Sequence, residues 1–264
     1  MKTVILAGGL GTRLSEETDV KPKPMVEIGG RPILWHILKH YGHYGFNECV
    51  VALGYKGDAI KSWFLNHRVL SSNVTISMKT GKTKLYPPSQ PSPSRGEGGE
   101  DWTVHLIDTG TKTNTGGRIK RLEPMLKDSA FLLTYGDGVS SVDLKKLLKF
   151  HKSTGLAATL TAVRPPSRFG GLVFAGDRVS QFSEKPQIGE GWINGGYMVI
   201  EPRVLKYIKN DDTNFERDVL ERLASEGQLA AYRHEGFWQC MDTLRDVRLL
   251  ESLWNSGKAP WKIW

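Results

Sequence analysis

The chain has 264 residues, of which 39% are hydrophobic, and it carries a formal net charge of +8. This length suits one large α/β domain with a substantial core, and we predict a single domain over residues 1–264. Two cysteines are too few for a disulfide scaffold, and no apolar run reaches the length of a membrane span. The excess of positive charge favours an anionic partner.

The first predicted element is a short apolar strand that leads into a glycine-rich loop. Thr3–Ile5 precedes LAGGLGTRL, residues 6–14, whose three glycines let backbone amides approach an anion closely. Arg13 adds a guanidinium, which suits phosphate oxygens. Leu14 stands where the dinucleotide fingerprint requires its third glycine, so hydride chemistry is disfavoured. The loop predicts a phosphate site.

The apolar segment before the loop is too short for a signal sequence, so we expect a cytoplasmic protein.

A stiff basic segment, VKPKPM, follows the loop. The prolines on both sides of Lys23 restrict the backbone, so the ammonium has little conformational freedom left to lose on binding. A solvated basic turn is the simpler alternative. Further along, GKT at 81–83 ends like a Walker loop, but Ile76 occupies the position of the first glycine, and the match fails.

Residues 86–100, YPPSQPSPSRGEGGE, differ in composition from the sequence around them. They are rich in proline, serine and glycine and contain almost no core-forming side chains, which predicts a mobile loop. A tolerated surface insertion is the favoured interpretation because long loops cost little closure entropy. A contact with another protein is the alternative.

Apolar runs typical of buried strands recur along the rest of the chain. They are Val50–Leu53, Phe131–Thr134, Ala158–Ala162 and Tyr197–Ile200. Longer amphipathic stretches separate them, and this alternation predicts an α/β fold with a largely parallel sheet.

Two aspartates are candidate metal ligands. Asp137 lies between glycines just after a predicted strand, at the kind of strand end where α/β sheets bind ligands, and its oxygens suit Mg²⁺. An ordinary Asp-Gly turn is the alternative. Asp242 lies far downstream in WQCMDT, before the amphipathic stretch Leu244–Trp254, where it could equally be a helix N-cap.

Three polar motifs lie between these aspartates or just before them. The hydroxyl-rich stretch 108–118 is our candidate for base recognition, through Thr113 and Arg118, although a Thr/Gly loop with a helix-capping threonine explains the same residues. The pairs Glu184-Lys185 and Asn194-Gly195 each adjoin a predicted strand. On their residues alone, both pairs indicate turns.

The combination of GGLGTRL with PKPM resembles the sugar-phosphate nucleotidyltransferases, also called nucleotide-sugar pyrophosphorylases. The resemblance extends through VKPKPMVEIGG, PILWHI, TYGDGV, FWQCMDTLRD and GKAPWK, almost to the last residue. It implies a Rossmann-like three-layer α/β/α nucleotidyltransferase fold with a mainly parallel mixed sheet. These blocks are most similar to the branch of the family that uses CTP and glucose 1-phosphate to make CDP-glucose, a precursor in bacterial surface polysaccharide biosynthesis such as that of the lipopolysaccharide O-antigen.

The resemblance also implies a role for each motif. Catalytic roles fall to Arg13, Lys23 and Asp137, and Mg²⁺ binding falls to Asp137 and Asp242. Substrate binding falls to Leu6, Ala7, Gly8, Gly9, Leu10, Gly11, Thr12, Arg13, Lys23, Thr113, Arg118, Gly136, Glu184, Lys185, Asn194 and Gly195. Of these, Glu184, Lys185, Asn194 and Gly195 belong to the family's sugar site.

Other partners and functions are less favoured. The sequence contains no dense basic run, RNP-type strand or zinc-finger spacing, so we expect no nucleic acid and no membrane partner. Aromatic residues clustered near the C-terminus indicate packing, and with the family resemblance we expect a homo-oligomer. The alternatives are a related enzyme that uses dTTP, UTP, GTP or ATP or another sugar phosphate, and a catalytically silent nucleotide-sugar-binding regulator.

Overall fold

The computed structural model describes residues 1–9, 21–86, 100–165, 171–175, 178–183 and 191–264. A seven-stranded mixed sheet lies at the centre of this part of the chain. In spatial order its strands are β14 (Leu229–His234), β10 (Ala158–Val163), β13 (Ile193–Ile200), β8 (Phe131–Tyr135), β1 (Thr3–Leu6), β4 (Glu48–Leu53) and β7 (Thr103–Asp108). Only β13 runs antiparallel to its neighbours in this sheet, so the predicted mainly parallel mixed sheet is confirmed.

Four two-stranded ribbons accompany the sheet in the described residues. They pair β2 (Glu27–Ile28) with β3 (Arg31–Pro32), β5 (Asn73–Ile76) with β6 (Thr83–Tyr86), β9 (Gly138–Ser140) with β15 (Trp238–Cys240), and β11 (Gly171–Ala175) with β12 (Arg178–Ser183). The GKT sequence lies at the turn of the exposed β5–β6 ribbon, in keeping with its rejection as a phosphate loop.

The described α-helices are α1 (Ile33–His43), α2 (Gly57–Leu70), α3 (Thr115–Arg121), α4 (Glu123–Leu126), α5 (Leu144–Thr154), α6 (Glu221–Ser225) and α7 (Leu244–Asn255). A 3₁₀ turn spans Lys23–Met25, another spans Pro202–Tyr207, and a π-helical turn spans Phe215–Leu220. Within the described part, no helix is long and apolar enough to cross a membrane.

Both faces of the sheet are buried. Successive residues of a strand point to opposite faces, and accordingly Ile5 belongs to one hydrophobic cluster while Val4 belongs to another. Helix α1 and Trp261 cover the first face, and α3 with the π-helical turn covers the second. This is the expected three-layer arrangement, and it leaves the ends of the strands as the accessible edge of the sheet.

The predicted loop at 86–100 lies outside the described residues except at its two ends. Tyr86 is the last residue of β6. The Glu100 carboxylate accepts a hydrogen bond from Trp35 Nε1 at 3.1 Å and lies 3.5 Å from His67 Nε2. These two contacts bring the pKa of Glu100 down to about 2, against the opposing effect of burial.

The C-terminal aromatic residues pack within the chain. The Trp261 indole is fully buried and stacks on Phe237 at a centroid distance of 5.5 Å. Trp254 and Trp264 both lie against Trp35 in edge-to-face geometry. Ordinary intrachain packing therefore accounts for these residues, and the homo-oligomer stays a prediction.

Candidate active site

A cavity of about 420 Å³ lies at the carboxyl ends of β1 and β8. Parallel α/β sheets bind ligands at this edge because the strand ends and the loops that follow them converge there. The residues lining the cavity are Leu6, Ala7, Gly8, Gly9, Lys23, Pro24, Thr113, Asn114, Thr115, Arg118, Tyr135, Gly136, Asp137 and Asp242. Described residues from most of the predicted motifs therefore line the same cavity.

The start of the glycine-rich loop forms one wall of the cavity. At Gly8 a Cβ atom would lie 2.2 Å from the Arg118 guanidinium, so a larger residue would require this buried group to move. The Gly8 carbonyl oxygen accepts a hydrogen bond from Arg118 Nη2 at 2.9 Å. The remaining predicted loop residues, Leu10, Gly11, Thr12 and Arg13, lie outside the described residues, so their roles stay predictions.

Lys23 lies between the two predicted metal ligands. Its Nζ atom is 2.6 Å from Asp137 Oδ2 and 2.5 Å from Asp242 Oδ1. Burial of the ammonium lowers the pKa of Lys23, but attraction and hydrogen bonding to the two carboxylates outweigh it, and the net pKa is raised. Lys23 therefore remains charged at neutral pH. Because both oxygens contact one nitrogen, they lie within about 5 Å of each other.

Local structure explains how residues so distant in sequence meet. Lys23 opens the 3₁₀ turn that contains Pro24, and a Cβ atom on Gly136 would lie 3.0 Å from that proline ring. The pairing of β15 with β9 brings Asp242 beside Asp137, and Met241 N donates to the Asp137 carbonyl oxygen at 2.8 Å. The backbone thus fixes the spacing of the two carboxylates.

The N-cap of α7 is Thr243, so the alternative that Asp242 caps this helix is wrong. The Thr243 hydroxyl accepts from Asp246 N, and the Asp246 carboxylate accepts from Thr243 N at 2.8 Å, which completes a capping box. Asp246 also accepts from Asp242 N at 3.0 Å. The helix cap thereby orients the backbone of Asp242 while its side chain faces the cavity.

Thr113 and Arg118 also line the cavity, and the Arg118 side chain is buried. Its guanidinium donates to the carbonyl oxygens of Leu53 at 3.0 Å and Gly110 at 2.7 Å, in addition to that of Gly8. Asn114, rather than a threonine, caps α3, with its side-chain oxygen accepting from Thr115 N. The roles of Thr113 and Arg118 toward a base or phosphate stay predictions.

The predicted sugar-site residues are only partly described. Glu184 and Lys185 lie outside the described residues. Asn194 and Gly195 are the second and third residues of β13 and do not line the cavity. Asn194 Oδ1 accepts a hydrogen bond from Gly196 N at 2.9 Å, and the Gly195 carbonyl oxygen accepts one from Trp238 Nε1 at 2.8 Å.

Sequence reasoning missed several residues that the structure places at the cavity. Asn114 and Thr115 fall inside the hydroxyl-rich stretch already singled out, and Tyr135 directly precedes Gly136, so proximity in sequence could have indicated all three. Pro24 belongs to the PKPM segment. Glu216, which contacts Tyr135 and Thr115 from behind, carried no sequence signal.

The profile of the nucleotidyl transferase family matches residues 2–255. The chain belongs to this family. It is 51% identical to the glucose-1-phosphate cytidylyltransferase of Salmonella typhimurium and 42% identical to the probable glucose-1-phosphate cytidylyltransferase of Bacillus subtilis, and both alignments cover the whole of each chain.

The fold is also found in solved structures. A putative glucose-1-phosphate thymidylyltransferase from Bacillus anthracis superposes with a TM-score of 0.64 at 17% identity, covering 96% of this chain and 94% of the other. The predicted nucleotidyltransferase fold is therefore confirmed, and the cavity described above belongs to a nucleotidyltransferase.

Proposed function

We propose that this chain transfers the cytidylyl group of CTP to glucose 1-phosphate, giving CDP-glucose and pyrophosphate. The observation that carries the proposal is the 51% identity to the glucose-1-phosphate cytidylyltransferase of Salmonella typhimurium, over the full length of both chains. The cavity supports it, because Lys23, Asp137 and Asp242 meet there as transfer between two phosphorylated substrates requires. The assignment of these site residues is part of the proposal.

In the proposed reaction, a phosphate oxygen of glucose 1-phosphate attacks the α-phosphorus of CTP, and the bond from that phosphorus to the bridging oxygen of pyrophosphate breaks. No covalent enzyme intermediate is required. The enzyme's task is to align two anions and to neutralise the charge that develops between them. The Lys23 ammonium meets this need because it is charged, restrained by prolines and faces the cavity.

The carboxylates of Asp137 and Asp242 fit a hard divalent cation. One oxygen of each already contacts the Lys23 ammonium, and this supports the proposal of a cation site between them. Within the described residues no larger acidic or histidine cluster is available to bind a metal, so substrate phosphates and water would complete the coordination, as Mg²⁺ prefers. When bound, Mg²⁺ would neutralise the charge on the nucleotide phosphates.

The remaining predicted residues complete the proposal. Residues 6–11 would hold the nucleotide, Arg13 the leaving pyrophosphate, and Thr113 with Arg118 the base side. Glu184, Lys185, Asn194 and Gly195 would hold glucose 1-phosphate. We also propose a cytoplasmic homo-oligomer that supplies CDP-glucose to surface polysaccharide synthesis.

Pyrophosphate release tests the proposal directly. The purified chain would be incubated with glucose 1-phosphate, Mg²⁺ and one of CTP, UTP, dTTP, ATP or GTP, each beside a control that lacks the sugar. We expect release with CTP to exceed that with the other nucleotides. Preference for another nucleotide would keep the chemistry and overturn the cytidylyl assignment, and no release with any nucleotide would overturn the proposed reaction.

A further inference from the structure

Glu216 connects two walls of the cavity without lining it. Its Oε1 atom accepts a hydrogen bond from the Tyr135 hydroxyl at 2.5 Å, and its Oε2 atom accepts one from Thr115 Oγ1 at 2.7 Å. Tyr135 and Thr115 both line the cavity. One carboxylate therefore connects the end of β8, two residues before Asp137, to the start of α3, which carries Arg118.

The contacts continue past Tyr135 to β13, the strand that carries the predicted sugar-site residues Asn194 and Gly195. A Cβ atom on Gly196, whose φ is +80°, would lie 2.6 Å from the Tyr135 ring, so the ring packs directly on the backbone of β13. Thr115, Glu216 and Tyr135 form a continuous hydrogen-bonded series that ends against this strand, and we name it the Glu216 bridge.

The backbone around Glu216 is built to hold this position. Glu216 lies in the π-helical turn, which interrupts the regular helix pattern, and such turns are frequent at functional sites. The preceding segment packs against the start of α3 so closely that a Cβ atom on Gly116 would lie 2.6 Å from the Thr213 carbonyl oxygen. Phe215 N donates to Thr115 Oγ1 at 2.9 Å, which fixes the orientation of that hydroxyl.

The contact between Glu216 and Tyr135 has the geometry of a strong hydrogen bond. The Tyr135 hydroxyl donates to Glu216 Oε1 at 2.5 Å, and hydrogen bonds in which a carboxylate accepts are among the stronger ones available to a protein.

We propose that Glu216 is a positioning residue that sets the distance between the base side and the sugar side of the cavity through Thr115 and Tyr135. Its role is to hold both substrates at the separation the transfer needs, without touching either. The inference rests on the proposed function, because it takes the Thr115 wall as the nucleotide side and Asn194 as a sugar-site residue.

Variants along the bridge separate its two halves. Thr115→Val removes the nucleotide-side bond, and we expect the KM for CTP to rise about fivefold with little change for glucose 1-phosphate. Tyr135→Phe removes the hydrogen bond between Tyr135 and Glu216 on the sugar side. For this variant we expect the KM for glucose 1-phosphate to rise with little change in the KM for CTP. Glu216→Ala removes both bonds and should raise both KM values about tenfold. Glu216→Gln and Thr115→Ser, which keep hydrogen-bonding groups of similar size, should restore near-native values.

Asp218→Ala is the matched control for the π-helical turn. The Asp218 carboxylate accepts from Asn214 N at 2.7 Å at the start of the same turn, but it does not reach the cavity. If Glu216 only stabilised the turn, Asp218→Ala and Glu216→Ala would affect the kinetics alike. We expect Asp218→Ala to lower thermal stability while leaving both KM values unchanged.

The native chain is measured first in the same assay. An inactive native chain would overturn the proposed function and this inference with it, whereas an active native chain with normal KM values in Glu216→Ala would overturn this inference alone. If Glu216→Ala does not fold, the Thr115→Val and Tyr135→Phe pair decides the question. Opposite substrate selectivity in that pair supports the bridge, and equal or absent effects overturn it.

Discussion

The guanidinium of Arg118 donates a hydrogen bond to the carbonyl oxygen of Gly8 at 2.9 Å and anchors the start of the glycine-rich loop to α3. The same guanidinium donates to Leu53, at the end of β4. Burial lowers the pKa of Arg118, but an arginine stays protonated at any physiological pH. A charged group of the protein itself therefore fixes the start of the glycine-rich loop.

This anchor predicts the effect of adding a methyl group at Gly8. In Gly8→Ala, the new Cβ atom would collide with the Arg118 guanidinium, and moving that group would break its bonds to three backbone carbonyls. We expect a loss of about 1–3 kcal/mol in the free energy of unfolding, measured by urea denaturation. Gly9→Ala, where a Cβ meets nothing within 4 Å, is the stability control. Equal stability of the two variants would contradict the prediction.

Replacing Lys23 should lower turnover sharply without unfolding the chain. Lys23→Ala removes the positive charge that the proposed transfer requires between its two phosphorylated substrates, and we expect kcat to fall by about 100-fold or more. The circular dichroism spectrum should remain native. Lys21→Ala is the matched control, because Lys21 pairs only with the exposed Glu27 carboxylate at 3.3 Å among its described contacts. A folded Lys23→Ala protein with normal kcat would refute the assignment.

The metal and capping functions near α7 can be separated by two conservative changes. Asp242→Asn should weaken the dependence of the rate on Mg²⁺ concentration while leaving the capping box intact. Asp246→Asn should instead lower the free energy of unfolding by about 1 kcal/mol, because it disturbs the box. Rate against Mg²⁺ and urea denaturation are measured on both variants. Unchanged Mg²⁺ dependence in Asp242→Asn would remove it from the metal site.

Acid should destabilise the fold through buried His36. Its Nε2 donates to the Ile28 carbonyl oxygen at 2.8 Å, Trp261 Nε1 donates to its Nδ1 at 3.3 Å, and burial lowers its pKa from 6.5 to about 4. Between those pH values the unfolded chain binds the proton first, so stability falls as the pH falls, by up to about 1.4 kcal/mol per pH unit. Above pH 6.5 this contribution is constant.

Urea denaturation at intervals from pH 7.5 to pH 4 measures this slope. A His36→Gln variant provides the comparison, because carboxylates that titrate in the same range are common to both proteins. We expect the variant to have a shallower dependence of stability on pH below 6.5. Identical slopes would show that His36 does not cause the acid sensitivity.

The parts of the site that follow directly from a strand could be predicted from the sequence. An apolar run followed by glycines identifies both the Gly8 loop and the Asp137 turn, because strand ends are where α/β sheets bind ligands. The location of Lys23 at the site could be predicted for a similar reason, because the prolines beside it restrict a short segment that follows the glycine-rich loop. Local patterns suffice when the chemistry lies close to the element that positions it.

Long-range relationships could not be obtained in this way. Residue spacing does not show that Asp242 meets Asp137, since the contact depends on the pairing of β9 with β15 about one hundred residues apart, and only the family resemblance indicated it. For the same reason, the sequence did not indicate the hydrogen-bond partners of Arg118 or any role for Glu216. The residues around Glu216 would fit any amphipathic stretch. The helix cap was misplaced by one residue because Asp and Thr are both good N-caps.

The position of the Lys23 ammonium has a consequence for the protein before any substrate arrives. Two carboxylates held within about 5 Å would repel each other and spread apart, yet here a cation attached to the chain lies between them. Lys23 therefore acts as a tethered counter-ion that preserves the spacing of the acidic pair. If Asp137 and Asp242 hold a divalent ion as proposed, the pair would no longer need this counter-ion, and the Lys23 ammonium would be available to the phosphates of the proposed substrates.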